Sequence, residues 1–333
     1  MRLAAFLWCL AASAADETKK VDVVCPIDGT RFTATEIVRT DASLGWGGVD
    51  SDLCCHAYRT LPMENYIWTC PTCWFSGGKS RFDPTKAPRE DLKKKIPGAL
   101  KPALPIAAGA RQESIPGWVK YDLTAQVDTI FGAPAIEIAK RHRNAAWAAR
   151  QAGAVRLDDY DDWVDASRAA GLEKDMIELG KKNRSEVDLA ACRRLEKDIA
   201  AGQHAGTALL LRRYLLAATY RRRGENVDAL RWLDEVDKSK GENSVIDDAA
   251  KKVRASIEVE RVQLKKASEL YAKAIADPAL DDNLCAQCQY ILGEIARRNG
   301  ETKVAAEWYA KAIATTPDAE LKRRAEAQKA LLK

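Results

Sequence analysis

From residue 118 onward, apolar side chains recur every three to four positions, the spacing of one helix face. This pattern predicts amphipathic helices over 135–152, 161–179, 186–201 and 207–223. Gly153, Gly180, Gly206 and Gly224 stand near their ends, where a left-handed residue closes a helix. The N-terminal part reads differently. Val21–Val24 and Tyr66–Thr69 are short β-prone runs that each end on a cysteine, and they predict small hairpins around a cross-link. Between the two regions, 89–117 carries Pro97, Pro102, Pro105 and Pro116 with three glycines. After a short helical start this segment reads as an extended linker.

The helical part repeats itself. Ala229, Trp232, Leu233 and Val236 recur 38 residues later as Ala267, Leu270, Tyr271 and Ala274, and again as Ala305, Trp308, Tyr309 and Ala312. Offsets of 0, 3, 4 and 7 put each set on one helix face. A small residue in the preceding helix keeps the same period, as Ala217, Ala255 and Gly293, and would let two antiparallel helices approach closely. These features resemble tetratricopeptide repeats. The last copy matches best, with Leu292-Gly293, Gly300 at the turn and Pro317 after the second helix. The middle copy has Val262 where the turn glycine belongs, which predicts fused or irregularly joined helices.

Composition agrees with helix: 47% of residues are hydrophobic, only 7% are aromatic, and alanine is abundant. The 53 basic residues against 48 acidic ones make a mild balance that does not indicate a nucleic-acid binder. The charge is also unevenly placed. Residues 16–88 hold ten acids and eight bases, so the positive excess belongs to the helical part.

The first fifteen residues carry Arg2, then an apolar run, then Ala12-Ser13-Ala14, a small-x-small pattern accepted by signal peptidase. A cleavable signal over 1–15 and a periplasmic or secreted protein are therefore expected. No other run is long enough for a stable membrane span.

Five cysteines fall within 16–88. Cys70-Pro-Thr-Cys73 is a knuckle in which a tight turn lets two thiolates converge on one ion. Cys25-Pro-Ile-Asp28 has the same form with Asp in the second place, and Cys54-Cys55-His56 lies between them. A tetrahedral structural zinc site is expected from Cys25, Cys54, Cys70 and Cys73, with Cys55 or His56 as alternates to Cys54. Asp28 offers oxygen, whereas structural zinc prefers sulfur and nitrogen. Disulfides among the same thiols are the competing reading for an exported chain.

Together with Asp50-Ser-Asp-Leu-Cys54 and Tyr66-Ile-Trp-Thr-Cys-Pro-Thr-Cys73, the first knuckle resembles an uncharacterised bacterial family, DUF2225. That family carries C-P-x-C-x-x-x-F, a D-x-D-x-C-like segment, and Y-x-x-x-x-C-P-x-C-G. Here Asp28 replaces a cysteine and Trp74 replaces the final glycine. The resemblance implies a metal-binding head followed by tetratricopeptide-like helices, and no activity.

Catalytic motifs are not found. Gly77-Gly-Lys-Ser80 fails as a phosphate loop because Cys73 occupies the required glycine position, and neither H-E-x-x-H nor G-x-S-x-G occurs. His142 and the Arg221–Arg223 run are expected at the surface, and Cys285 and Cys288 inside a helix interface. The sequence thus predicts a mainly α protein: a signal at 1–15, a β-rich zinc-ribbon-like module at 16–88, a linker at 89–117 and a tetratricopeptide-like hairpin array at 118–333. The expected role is a non-enzymatic scaffold holding a protein or peptide partner on the array, with Tyr220 and Tyr290 as candidate contacts and no nucleic acid. A thiol-disulfide oxidoreductase using Cys70–Cys73 or Cys285–Cys288 is the alternative.

Overall fold

A computed structural model of the chain describes residues 18–38, 46–57, 62–86, 90–153, 184–239 and 241–332. The expected signal at 1–15 and the helix expected at 161–179 lie outside these residues. The chain divides into two compact units. The first comprises Met1–Trp46 with His56–Ala148, and the second Gly47–Cys55 with Ala149–Lys333. No helix among the described residues is long and apolar enough to cross a membrane.

The first unit is built on short antiparallel pairs. Strands β1 (Thr18–Val24) and β2 (Arg31–Ile37) form a hairpin in which Val23 faces Phe32 and Val21 faces Ala34. Strands β3 (Trp46–Val49) and β4 (Cys55–Ala57), at the two ends of the Gly47–Cys55 segment assigned to the second unit, form another pair. A short helix α1 (Pro62–Asn65) leads to β5 (Trp68–Thr69), which pairs with β6 (Ser76–Gly77).

Segment 89–117 packs into this unit instead of running free as a linker. After helix α2 (Glu90–Lys95), Ile96, Leu100 and Ile115 enter the core with Val23, Phe75 and Phe82. Gln112, fully enclosed, accepts from the Thr69 amide at 3.0 Å and donates to the Thr69 carbonyl at 2.6 Å. Its side-chain amide therefore completes β5 as a neighbouring strand would, and satisfies groups that burial would otherwise penalise. Helix α3 (Gly117–Ile130) closes the core with Val119, Leu123 and Val127, and helix α4 (Ala135–Gly153) crosses the unit boundary. His142, expected at the surface, is buried, with Nδ1 3.7 Å from the Asp122 carboxylate.

The second unit is a helical array. Its helices are α5 (Arg184–Ala200), α6 (Gly206–Arg222), α7 (Asn226–Asp237), α8 (Ser244–Ile275), α9 (Asp282–Arg298), α10 (Thr302–Thr315) and α11 (Ala319–Ala330). Pairs α6/α7 and α9/α10 are the first and last repeat hairpins, turning at Gly224 (φ +70°) and Gly300 (φ +80°). The periodic residues Ala229, Leu233 and Val236, then Ala267, Tyr271 and Ala274, then Ala305, Tyr309 and Ala312, are all buried. A Cβ on Gly293 would stand 2.7 Å from the Tyr309 ring, so only glycine permits this packing.

The middle copy is a single continuous helix of 32 residues. Without glycine at Val262 nothing stops the helix, and Ala255, which would have faced an antiparallel partner, is exposed. Asn243, Asp281 and Asp318 cap α8, α9 and α11 by accepting from two amides each. The fold is thus mainly helical, with a small N-terminal β region and a packed array of helix pairs resembling tetratricopeptide hairpins.

Candidate metal centre

The two knuckles are copies of one turn. Cys25 follows β1 directly, and its amide donates to the Thr30 carbonyl at 2.9 Å while its carbonyl accepts from Gly29 at 3.0 Å. In the second knuckle the Cys70 amide donates to Phe75 at 2.9 Å, and its carbonyl accepts from Trp74 at 3.0 Å. The residue after each second ligand position is left-handed, with φ +74° at Gly29 and +62° at Trp74. This is the position where glycine costs nothing and an ordinary residue is strained.

These turns bring Cys25, Asp28, Cys70 and Cys73 together, with ligand atoms all within 4.8 Å of one another. The Cys25 and Cys73 sulfurs are 3.5 Å apart, and the Cys70 sulfur is 3.6 Å from both Asp28 oxygens. Two sulfurs at about 2.3 Å from a tetrahedral zinc stand about 3.8 Å apart, so these spacings suit a shared ion. They are far beyond the roughly 2.05 Å of a disulfide, and all three cysteines are free thiols. The Ile27 amide points at the Cys25 sulfur from 3.4 Å, as amides in such turns do when they support a thiolate.

Three sulfurs in contact resist joint ionisation. Hydrogen bonding to Cys70 pushes Cys25 up to about 12, and bonds from Cys25 and Cys73 draw Cys70 down to about 2. Cys73 is raised by its bonding to Cys25 and Cys70. Thiolates this close repel one another, and a divalent cation is the kind of charge that lets several of them ionise together.

The family description "uncharacterized protein conserved in bacteria (DUF2225)" matches residues 18–257, more than half of the chain. The chain belongs to this family. No curated protein and no solved structure matches it.

In this DUF2225 chain, three of the four expected ligands, Cys25, Cys70 and Cys73, are brought together, and Asp28 is the fourth member of the group. Cys54 lies in the second unit, fully buried, with its sulfur 3.8 Å from Gln151 Nε2 and its thiol pushed well up by burial. The side chains of Cys55 and His56 lie outside the described residues. The signal for Asp28 was present, since Cys-Pro-Ile-Asp-Gly repeats the frame of the second knuckle; donor preference outweighed it.

Sequence reasoning also missed a buried ionic cluster in the second unit. The Asp50–Cys54 loop places Asp50 and Asp52 against Arg150, at 3.2 Å and 2.6 Å, while Arg298 reaches Asp52 at 3.2 Å. Glu260 on α8 is bound by Arg150 at 2.6 Å and also pairs with Arg221. Ser51 donates to Glu294 at 2.7 Å, and Tyr290, deeply buried, donates to the Ser51 carbonyl at 2.5 Å. Burial raises the Asp52 and Glu260 carboxyls, but the guanidiniums outweigh it: Arg150 and Arg298 hold Asp52 far down, and Arg150 and Arg221 hold Glu260 at about 2. Arg221 and Arg222, expected at a solvated helix end, are instead buried, and Tyr290 is a core residue with no free face for a partner.

Proposed function

We propose that this protein is an exported, non-catalytic scaffold whose N-terminal unit is stapled by one structural zinc ion and whose helical array holds a protein partner. The observation that carries the reading is the cluster of Cys25, Asp28, Cys70 and Cys73 on two matched knuckles. Three sulfurs and one carboxylate at these spacings form a closed four-ligand set, the arrangement of a structural ion and not of a catalytic one with an open water position. A unit built on short strand pairs gains from such a cross-link, because metal binding contributes directly to folding. Export rests on the leader-like residues 1–15, and the partner on the helical array, a class of fold that works by presenting surface.

The oxidoreductase alternative needs a reachable thiolate. Cys70 has no exposed surface, Cys288 is buried, and burial pushes Cys285 up, away from the reactive form.

Native mass spectrometry of the full chain produced in an exporting host tests the reading directly. The expected species has lost its first fifteen or so residues and carries one zinc, and Cys70→Ser abolishes the zinc adduct. An uncleaved species removes export. A metal-free species with paired sulfurs removes zinc and favours the redox alternative.

A further inference from the structure

The two knuckles share one backbone turn, yet they enclose the site unequally. Cys25, Cys70 and Cys73 are buried, whereas Asp28 is exposed. Asp28 occupies in the first knuckle the place that Cys73 holds in the second. The residues that follow differ in the same sense. Trp74 packs its indole against the core cluster that contains Cys73. Gly29 has no side chain, and a Cβ built there would meet no atom within 4 Å. The Cys73 side of the site thus belongs to a packed core, whereas Asp28 and Gly29 lie exposed.

Donor chemistry points the same way. Carboxylate is the hardest donor of the four, and a thiolate is the better match for a zinc-like ion already bound by three sulfurs. When it leaves the ion, the Asp28 carboxylate still has a partner, because the Thr30 amide donates to its Oδ1 at 3.0 Å.

We propose that Asp28 is an exchangeable ligand and that the ion accepts a thiolate from a low-molecular-weight thiol in its place. This rests on the metal reading above. In the exchange, the bond from the metal to the Asp28 oxygen breaks and a metal–sulfur bond forms. The thiol proton passes to solvent, and no electron is transferred. The site then has a function beyond stapling: it registers external thiol through one coordination position while three buried cysteines keep the ion.

The test uses the full chain loaded with cobalt(II), whose thiolate charge-transfer absorption grows with the number of sulfurs bound. A three-thiolate spectrum at one cobalt per chain is expected first; failure to obtain it overturns the metal reading itself, before any thiol is added. Titration with 2-mercaptoethanol then raises the charge-transfer intensity by about a third, the step from three sulfurs to four, with cobalt retained through gel filtration. Asp28→Cys starts at the four-sulfur intensity and does not respond, and Asp28→Ala responds at lower thiol concentration than the parent. An unchanged parent spectrum, or release of cobalt on adding thiol, overturns the proposal while leaving the metal reading intact. If Asp28→Cys does not fold, the Asp28→Ala response decides alone: a response no stronger than the parent's overturns the proposal.

Discussion

Replacing Asp52 by Asn probes whether the second unit depends on its buried charges. The substitution keeps shape and the oxygen that accepts from the Cys54 amide at 3.2 Å, so backbone geometry at the loop is preserved. It removes the carboxylate that Arg150 contacts at 2.6 Å and Arg298 at 3.2 Å. Both guanidiniums are essentially without solvent exposure, so water cannot replace the lost partner. Breaking one side of a buried ion pair costs about 3–5 kcal/mol, mostly because the opposite charge is left uncompensated. Asp50 and Glu260 still neutralise Arg150 in part, which places the expectation near 3 kcal/mol. Urea unfolding of the full chain, followed by helical circular dichroism, should show a lower midpoint with an unchanged slope. Glu258→Gln, which removes an exposed pair with Arg261, is the control and should cost less than about 1 kcal/mol. A loss below about 1 kcal/mol for Asp52→Asn would refute the reasoning, since it would mean that the cluster is solvated or freely rearranged.

Other consequences follow from the same geometry. The folded pKa of Glu260, about 2, lies below its ordinary 4.5, so its contribution is complete above pH 4.5 and is lost as pH falls toward 2. The shift corresponds to about 3 kcal/mol; urea midpoints at pH 5 and pH 3 should converge in Glu260→Gln, and an unaltered acid loss in that variant would contradict the assignment. Gly224→Ala should destabilise by more than about 2 kcal/mol, because φ is +70° and the new Cβ runs into the Arg298 guanidinium and comes within 2.8 Å of Arg150. Gly300→Ala, at φ +80° with its nearest neighbour at 3.6 Å, should cost only about 1 kcal/mol; equal thermal shifts for the two would show that the guanidiniums move aside. Val262→Gly sits at an exposed site within the continuous α8, and should lower stability by about 0.5 kcal/mol without restoring a turn. A drop in helix content beyond a few residues would instead indicate a latent hairpin.

What the chain revealed in advance was what it encodes locally. The repeat was legible because Ala305, Tyr309 and Ala312, and their counterparts, must face inward at helical spacing whatever lies around them. Val262 marked the fused copy because a helix continues unless something stops it. The knuckles were legible for the same reason, since Cys-Pro-x-Cys fixes its own turn. Cys54 was assigned from order along the chain, which says nothing about which unit a residue enters. Arg150 and Asp52 are 98 residues apart, and Ser51 and Glu294 are 243 apart. No periodicity links such partners, and an Arg-Arg-Arg run at a helix end looks the same whether water or a buried carboxylate receives it. Segment 89–117 misled in a related way: its prolines forbid regular structure, but they do not prevent Ile96, Leu100 and Ile115 from burying themselves between the bends.

The Asp50–Cys54 loop also sets an order of events for synthesis. It is made early, yet Arg298 and Tyr290, which enclose it, belong to one of the last helices to be made. Arg150 is available to both carboxylates earlier, but until α9 is made Asp52 lacks its second guanidinium, so the second unit completes its packing late. Contacts spanning so much sequence are slow to form and leave partly folded species exposed meanwhile. A chain ending before α9 would lack both Arg298 and Tyr290, and would leave the Asp50–Cys54 loop without the contacts that enclose it.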